Sequence, residues 1–189
     1  MTQQLEKSDL DQAAQISRQV GDKARDLFAS GRMLCTPAVV TALNEGLGGE
    51  VDPAVINNFT AGMGEGLGGA GCLCGAVSGG CLGLGLFLGS GNAGGRASRK
   101  VAAASRELHN AFKAERGSTC CRVLSKKVKD DPKAHMAQCT ELSGLAAELA
   151  CAAILEARPE LAAKTQQGYL DAKVKKKGLL GRLIRAVSA

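Results

Sequence analysis

Aromatic residues are scarce: the 189 residues contain no tryptophan, one tyrosine (Tyr169) and four phenylalanines. Proteins that hold single-stranded nucleic acid stack bases on aromatic platforms, so no nucleic-acid partner is expected. The two histidines, His109 and His135, leave little scope for imidazole acid–base chemistry or a histidine-rich metal site. Both are expected to face solvent on helices. No cysteine pair is spaced CxxC, which argues against a thioredoxin-type pair and paired zinc knuckles, and no CxxCH run offers covalent haem attachment. The segment MTQQLEKSDLDQ has no apolar h-region, so a secretory signal is not expected and the cytoplasm is the expected location. Strand-type alternation is weak throughout.

Positive charge is in excess by six, but it is not spread over the chain. Lys173, Lys175, Lys176, Lys177, Arg182 and Arg185 carry all of it within residues 172–189, where no acidic residue occurs, and residues 1–171 are formally neutral. A nucleic-acid groove would want its charge over a folded face. The reading is therefore a helical body over 1–171 and a basic tail over 172–189.

Helix punctuation is frequent. Leu10, Ala13, Ile16, Val20, Ala24, Leu27 and Phe28 recur at helical spacing, with Ser8 as the expected cap and Asp11 reaching back to it. Thr36-Pro37, Asp52-Pro53 and Asp131-Pro132 each pair a capping side chain with proline at the first helical position. Gly48-Gly49 is placed to close the second helix, and a long helix is expected from about Pro132 to Ala157, stopped by Pro159. These signals predict an all-α fold: a compact multi-helix domain with a glycine-rich loop, an apolar central helix and a basic amphipathic C-terminal tail helix.

Fifteen of the 25 glycines fall between Gly62 and Gly95. The run GMGEGLGGAG (62–71) is too glycine-dense for regular structure and predicts a loop in which backbone comes close to a neighbour or takes positive φ. Residues from Cys72 to Gly89 are uncharged and apolar enough to raise the question of a membrane span. Only seven of these 18 residues are strongly apolar, and the flanking amphipathic helices need a core to face, so a buried core helix is the favoured reading. Gly71, Gly75, Gly79 and Gly83, four apart, form a ridge suited to close helix contact. Such a helix could also pack on a second copy of the chain, which makes a homodimer an expectation.

The eight cysteines are Cys35, Cys72, Cys74, Cys81, Cys120, Cys121, Cys139 and Cys151. In a reducing compartment they read as thiols, metal ligands or redox groups rather than structural disulfides. Their placement is more informative than their spacing. Cys35 precedes the expected cap Thr36; Cys72 and Cys74 leave the glycine loop at a helix start; Cys120 and Cys121 follow Ser118, another expected cap. A helix N-terminus offers free N–H groups and partial positive charge, which lower a thiol pKa and hydrogen-bond to sulfur. Cys35, Cys74 and Cys121 are thus candidates for a shared site, against the alternative that buried cysteine only fills space. That alternative is favoured for Cys81 and Cys151, each inside an apolar helix.

These residues carry a resemblance. LFASGRMLCTPAVVTALNEGLG (27–48), FTAGMGEGLGGAGCLCGAVSGGCLGLGLFLG (59–89) with its CGAVSG core, GSTCCRVL (117–124) and AQCTELSGLAAELA occur in order. Together they resemble the redox-active family named for the pattern C_GCAxxG_C_C, over about 115 residues from Ala24 to Cys139. The resemblance implies a helical domain whose four pattern cysteines gather at one redox site, and a relation to the part of split-Soret cytochrome c associated with an iron–sulfur cluster. It implies Cys35, Cys74, Cys121 and Cys139 as ligands, four thiolates being the usual complement of such a cluster. Cys72 or Cys120 could substitute as a ligand or resolve a disulfide. Gly71 and Gly75 are the expected points where loop backbone approaches the cofactor. The haem motif of split-Soret cytochrome c is missing, so no haem role carries over.

GEGLGG (64–69) and GSGNAGGR (89–96) fit nucleotide-loop patterns but follow no strand signal and read as turns. The tail is more informative: after KVKKK, Leu179, Leu180, Leu183, Ile184 and Val187 form one stripe with Arg182 and Arg185 mainly off it. Such a unit is either a terminal helix on the core or a docking element for a protein partner, a protein shell or an anionic membrane surface, with Lys175, Lys176, Lys177, Leu179, Arg182 and Leu183 in contact. The expected function is an iron–sulfur protein of electron transfer or redox sensing, working with a redox partner protein and without substrate turnover of its own. The alternatives are a metal-free dithiol protein using Cys120–Cys121 or Cys72/Cys74, and a helical adaptor recruited through the tail. Deleting residues 173–189 is expected to change where the protein goes and to leave its metal content unaltered; fractionation and metal analysis of the truncated chain check both.

Overall fold

The computed structural model describes residues 7–92 and 95–176. Among them are nine helices and no strand: α1 (Lys7–Ala29), α2 (Cys35–Gly46), α3 (Pro53–Thr60), α4 (Gly64–Leu67), α5 (Gly75–Leu88), α6 (Gly95–Arg116), α7 (Cys121–Ser125), α8 (Pro132–Ala157) and α9 (Gln167–Asp171). Short 3₁₀ turns cover Ala61–Met63 and Pro159–Lys164. The all-α expectation holds. No described helix is long and apolar enough to cross a membrane.

Two of the three proline starts are built as the sequence implies. Asp52 accepts from Ala54 N–H, and Asp131 accepts from Lys133 and Ala134 N–H. The third differs. Helix α2 already begins at Cys35, its N-cap is Leu34 with no side-chain cap, and Pro37 sits inside the first turn. The Thr36 hydroxyl instead donates across to Gly75 O at 2.9 Å, a bond between α2 and α5 that a cap would have spent locally. Ser8 lies inside α1 rather than at its N-cap. Gly48 does take the left-handed conformation (φ 68°) just beyond α2.

The core lies between α1, α2, α5 and α8, with α8 in most extensive contact with α1. Ile16, Val20, Ala24 and Leu27 of α1 meet Ala38, Val39 and Leu43 of α2, Val77 and Leu84 of α5, and Ala146, Ala150 and Ile154 of α8 in one cluster. Each fully buried Val, Leu or Ile side chain among them contributes about 1.5–3 kcal/mol. The glycine ridge is what lets α5 enter. A Cβ at Gly79 would stand 2.8 Å from Val39 Cβ, and one at Gly83 would collide with Leu43 Cδ1. The Gly75–Gly79–Gly83 face is therefore taken by α2 of the same chain and is not free for a second copy.

The start of the tail lies along α1. Buried Lys23 donates to Ala172 O and sits over the Tyr169 ring, 4.3 Å from its centre. Burial lowers the Lys23 pKa, with Asp26 and Glu45 acting against it. Lys173 pairs with Asp26 at 3.4 Å, and Arg32 Nε donates to Lys175 O at 2.9 Å. Lys177, Leu179, Arg182 and Leu183 lie outside the described residues.

Helix α4 departs from right-handed geometry. Glu65 (φ 55°, ψ 31°), Gly66 (φ 72°, ψ 54°), Leu67 (φ 71°) and Gly68 (φ 60°, ψ 33°) form a left-handed turn inside the expected loop. Such backbone costs a non-glycine residue about 1–2 kcal/mol.

Gly79→Ala tests the close approach of α2 and α5. Overpacking costs about 1–3 kcal/mol, against the roughly 1 kcal/mol that alanine gains over glycine in a helix. The variant should therefore unfold at lower urea concentration than the parent. Gly85→Ala in the same helix, where a Cβ meets nothing within 4 Å, should unfold at higher.

Candidate functional site

The four pattern cysteines come from four elements. Cys35 opens α2, Cys74 is the N-cap of α5, Cys121 opens α7, and Cys139 stands in the body of α8. All four line one pocket of about 820 Å³, with Phe28, Leu34 and Leu142 among its apolar walls. Cys35 and Cys74 are buried; Cys121 and Cys139 are half-buried.

Two connecting segments hold the mouth together. Cys74 N–H donates to Thr119 O (2.8 Å), Cys121 N–H to Cys72 O (2.6 Å) and Arg122 N–H to Gly71 O (3.1 Å). Leu73 and Cys120 form the isolated antiparallel bridge between them. Ser118 caps no helix; its hydroxyl accepts from Cys120 N–H at 3.0 Å, and Cys120 itself is the N-cap of α7. The His109 ring, half-buried rather than solvent-facing, is hydrogen-bonded to Thr119 at 2.9 Å and so braces the segment that receives Cys74.

Both glycines expected near the cofactor line the pocket, by different means. Gly75 leaves room: a Cβ there would collide with Cys35 Sγ and stand 2.8 Å from Thr36 Oγ1. Gly71 contributes its carbonyl, which accepts Arg122 N–H and the Cys120 thiol at 3.3 Å. The left-handed turn abuts the site at Gly66, where a Cβ would come within 2.6 Å of Cys121 Cβ.

The remaining cysteines are placed elsewhere. Cys72 is exposed, and neither it nor Cys120 lines the pocket. Cys81 interacts with Ser105 of α6, and Cys151 is fully buried in the core near Ser17, in keeping with a packing role for both. Two charged pocket residues escaped the sequence reading, Glu65 and Arg122, and His135, expected to face solvent, is half-buried and lines the same pocket. The one available signal was that Glu65 is the only charge inside the glycine run 62–71.

At Cys74 and Cys121 the electrostatics reverse the expectation of lowered thiol pKa values. Burial pushes Cys74 up to about 12, with neighbouring Cys35 and Cys121 adding to it, although the N–H groups of Ala76 and Val77 pull it down. Cys139 is also pushed up to about 12, by burial first and then by Cys35, Cys74, Cys121 and Glu65. Cys121 is raised too, by burial first and then by Cys35, Cys120 and Glu65. Helix-start N–H groups do reach sulfur, but desolvation outweighs them. Metal-free, these groups are neutral thiols.

Among the described residues, no group of three or more His, Cys, Asp or Glu side chains is close enough to hold a single metal ion. The sulfurs stand on the walls of a pocket instead, which suits a group of several atoms. Four free thiols, low dielectric and backbone N–H near sulfur fit an iron–sulfur cluster in donor type and number.

Fold and site define a class: all-helical proteins that gather thiols from separate helices on one apolar pocket. The family model described as "Putative redox-active protein (C_GCAxxG_C_C)" matches residues 33–153, and the chain belongs to that family. Comparison with curated proteins and with solved structures gives no match.

The raised thiols generate a pH dependence. In the unfolded chain they ionise near 9.0, in the folded one near 12 for Cys74, Cys139 and Cys151. Above pH 9 the unfolded state therefore loses protons first, and stability falls as pH rises from 9 toward 12. Urea midpoints of the reduced, metal-free protein should be lower at pH 10.5 than at pH 8.

Proposed function

We propose that this protein is an iron–sulfur protein of electron transfer or redox sensing, with Cys35, Cys74, Cys121 and Cys139 as ligands. The observation that carries the reading is the convergence of these four cysteines, and none of the other four, on one pocket. A cluster held there supplies reversible one-electron storage. The chain's residues do the rest. Gly75 admits the Cys35 sulfur, Ala76 and Val77 N–H groups offset charge on Cys74, and Phe28, Leu34 and Leu142 keep water from the sulfurs.

Burial supports a metal over a dithiol reaction. A protonated, desolvated thiol is a poor nucleophile, whereas a coordinating metal displaces its proton outright. Exposed Cys72 remains the better candidate for thiol chemistry at the mouth. In this reading a second redox protein exchanges electrons with the site, recruited through the basic tail.

Anaerobic purification should yield a coloured protein containing iron and acid-labile sulfide, and Cys74→Ala should lose both. A colourless, iron-free protein overturns the reading. A loss of two thiols on oxidation, with no metal bound, would establish the dithiol alternative.

A further inference from the structure

The body of the chain is neutral only in sum. Residues 116–133 carry six basic side chains (Arg116, Arg122, Lys126, Lys127, Lys129 and Lys133) against Asp130 and Asp131, an excess of four. The rest of residues 1–171 holds twelve basic and sixteen acidic side chains, a deficit of four. Charge is therefore separated within the folded body, and its positive share sits in eighteen consecutive residues.

Those residues frame the thiol pocket. Cys121, Arg122, Leu124, Ser125 and Pro132 line it, and the backbone bonds to residues 71–74 hold the segment at its mouth. Lys126, Lys127, Lys129 and Lys133 are exposed between the lining positions. Of the two acidic residues, Asp131 caps α8 and Asp130 lies 3.8 Å from Lys129. The opening of the tail reaches the same end: Arg32, two residues before the pocket residue Leu34, donates to Lys175 O. A single exposed lysine is ordinary surface. A concentrated excess around an opening, on a body otherwise negative, makes a field that steers an oppositely charged partner to that opening.

Exposed apolar side chains stand in the same frame. Leu67 belongs to the left-handed turn, Leu73 to the bridge with Cys120, Val123 to α7, and Met136 lines the pocket. Apolar contacts rimmed by charge are the composition of a protein–protein interface. Residues 116–133 contain no aromatic side chain on which a base could stack. A lipid surface takes no electron from the pocket, whereas a protein carrier seated on this lip does.

We propose that the lip of the thiol pocket is the docking face for the acidic surface of a small electron-carrier protein. The proposal rests on the iron–sulfur reading above. It gives the redox partner its sign of charge and places the contact at the pocket mouth, in addition to the tail.

The test is the association rate of the full chain, reconstituted with iron and sulfide, with an acidic [2Fe–2S] ferredoxin. That rate should fall steeply as salt rises from about 0.05 to 0.5 M, and a basic cytochrome c should associate far more slowly. Lys126→Glu/Lys127→Glu should slow ferredoxin about tenfold or more at the lower salt, with parent-like urea midpoint and iron content. Lys133→Glu, an independent change at the same lip, should act in the same direction. Arg99→Glu/Lys100→Glu makes the same change of net charge at exposed positions about 25 Å along α6 from Arg116. Screening should hold its effect to about threefold or less. Equal slowing by the two double variants would overturn the proposal, since net charge alone would then explain it. A parent that does not associate with ferredoxin at low salt would overturn it as well. So would a lip variant that loses binding to phosphatidylserine vesicles or duplex DNA while ferredoxin association is unchanged. Lip-dependent ferredoxin association by a parent that takes up no iron overturns the iron–sulfur reading and leaves the docking face standing.

Discussion

Three backbone hydrogen bonds between residues 71–74 and 119–122 are the constraint on which the site depends. They join two loops nearly fifty residues apart and require no side chain, so the thiols at 74 and 121 remain available to the pocket. With one loop leading into α5 and the other into α7, the pairing places two helix starts at one mouth. Cys35 and Cys139 arrive by a different route, on α2 and α8, which the core already holds. The site is thus assembled from a packed wall and a backbone-paired lip.

The glycines serve both parts. Along α5 they let α2 come so near that Gly75 lies directly against the Cys35 sulfur, with the Thr36–Gly75 hydrogen bond fixing the spacing. Before α5 they allow a left-handed turn to press on Cys121. Only the absence of side chains makes either approach possible. A helix start facing solvent would lower a thiol pKa; the same start pressed into an apolar pocket raises it, because the lost hydration of the thiolate exceeds what two N–H groups return. This opposition favours the neutral thiol at Cys74, Cys121 and Cys139 in the metal-free pocket, and a metal bound there would drive their protons off to solvent.

Much of the fold was legible. The caps Asp52 and Asp131 act on neighbours two or three residues away, so their effect needs no knowledge of the rest of the chain. A buried helix within 72–89 followed from too few strongly apolar residues for lipid, and the structure forms it over Gly75–Leu88. Thr36 was misread because a distant acceptor, Gly75 O, competed with the local cap. The expected pKa direction failed for the same kind of reason: helix position can be read along the chain, whereas burial depends on what packs over it.

By itself, the sequence determined the helices, the neutral body with its basic tail, the glycine ridge and the order of the cysteines that marks the family, since each rests on spacing or composition. Only the tertiary structure decided which cysteines share the pocket. It left Cys72 and Cys120 outside, and placed Glu65, in left-handed backbone, at the pocket's lining. The physical reason is that convergence and desolvation are properties of contacts between residues far apart in the chain.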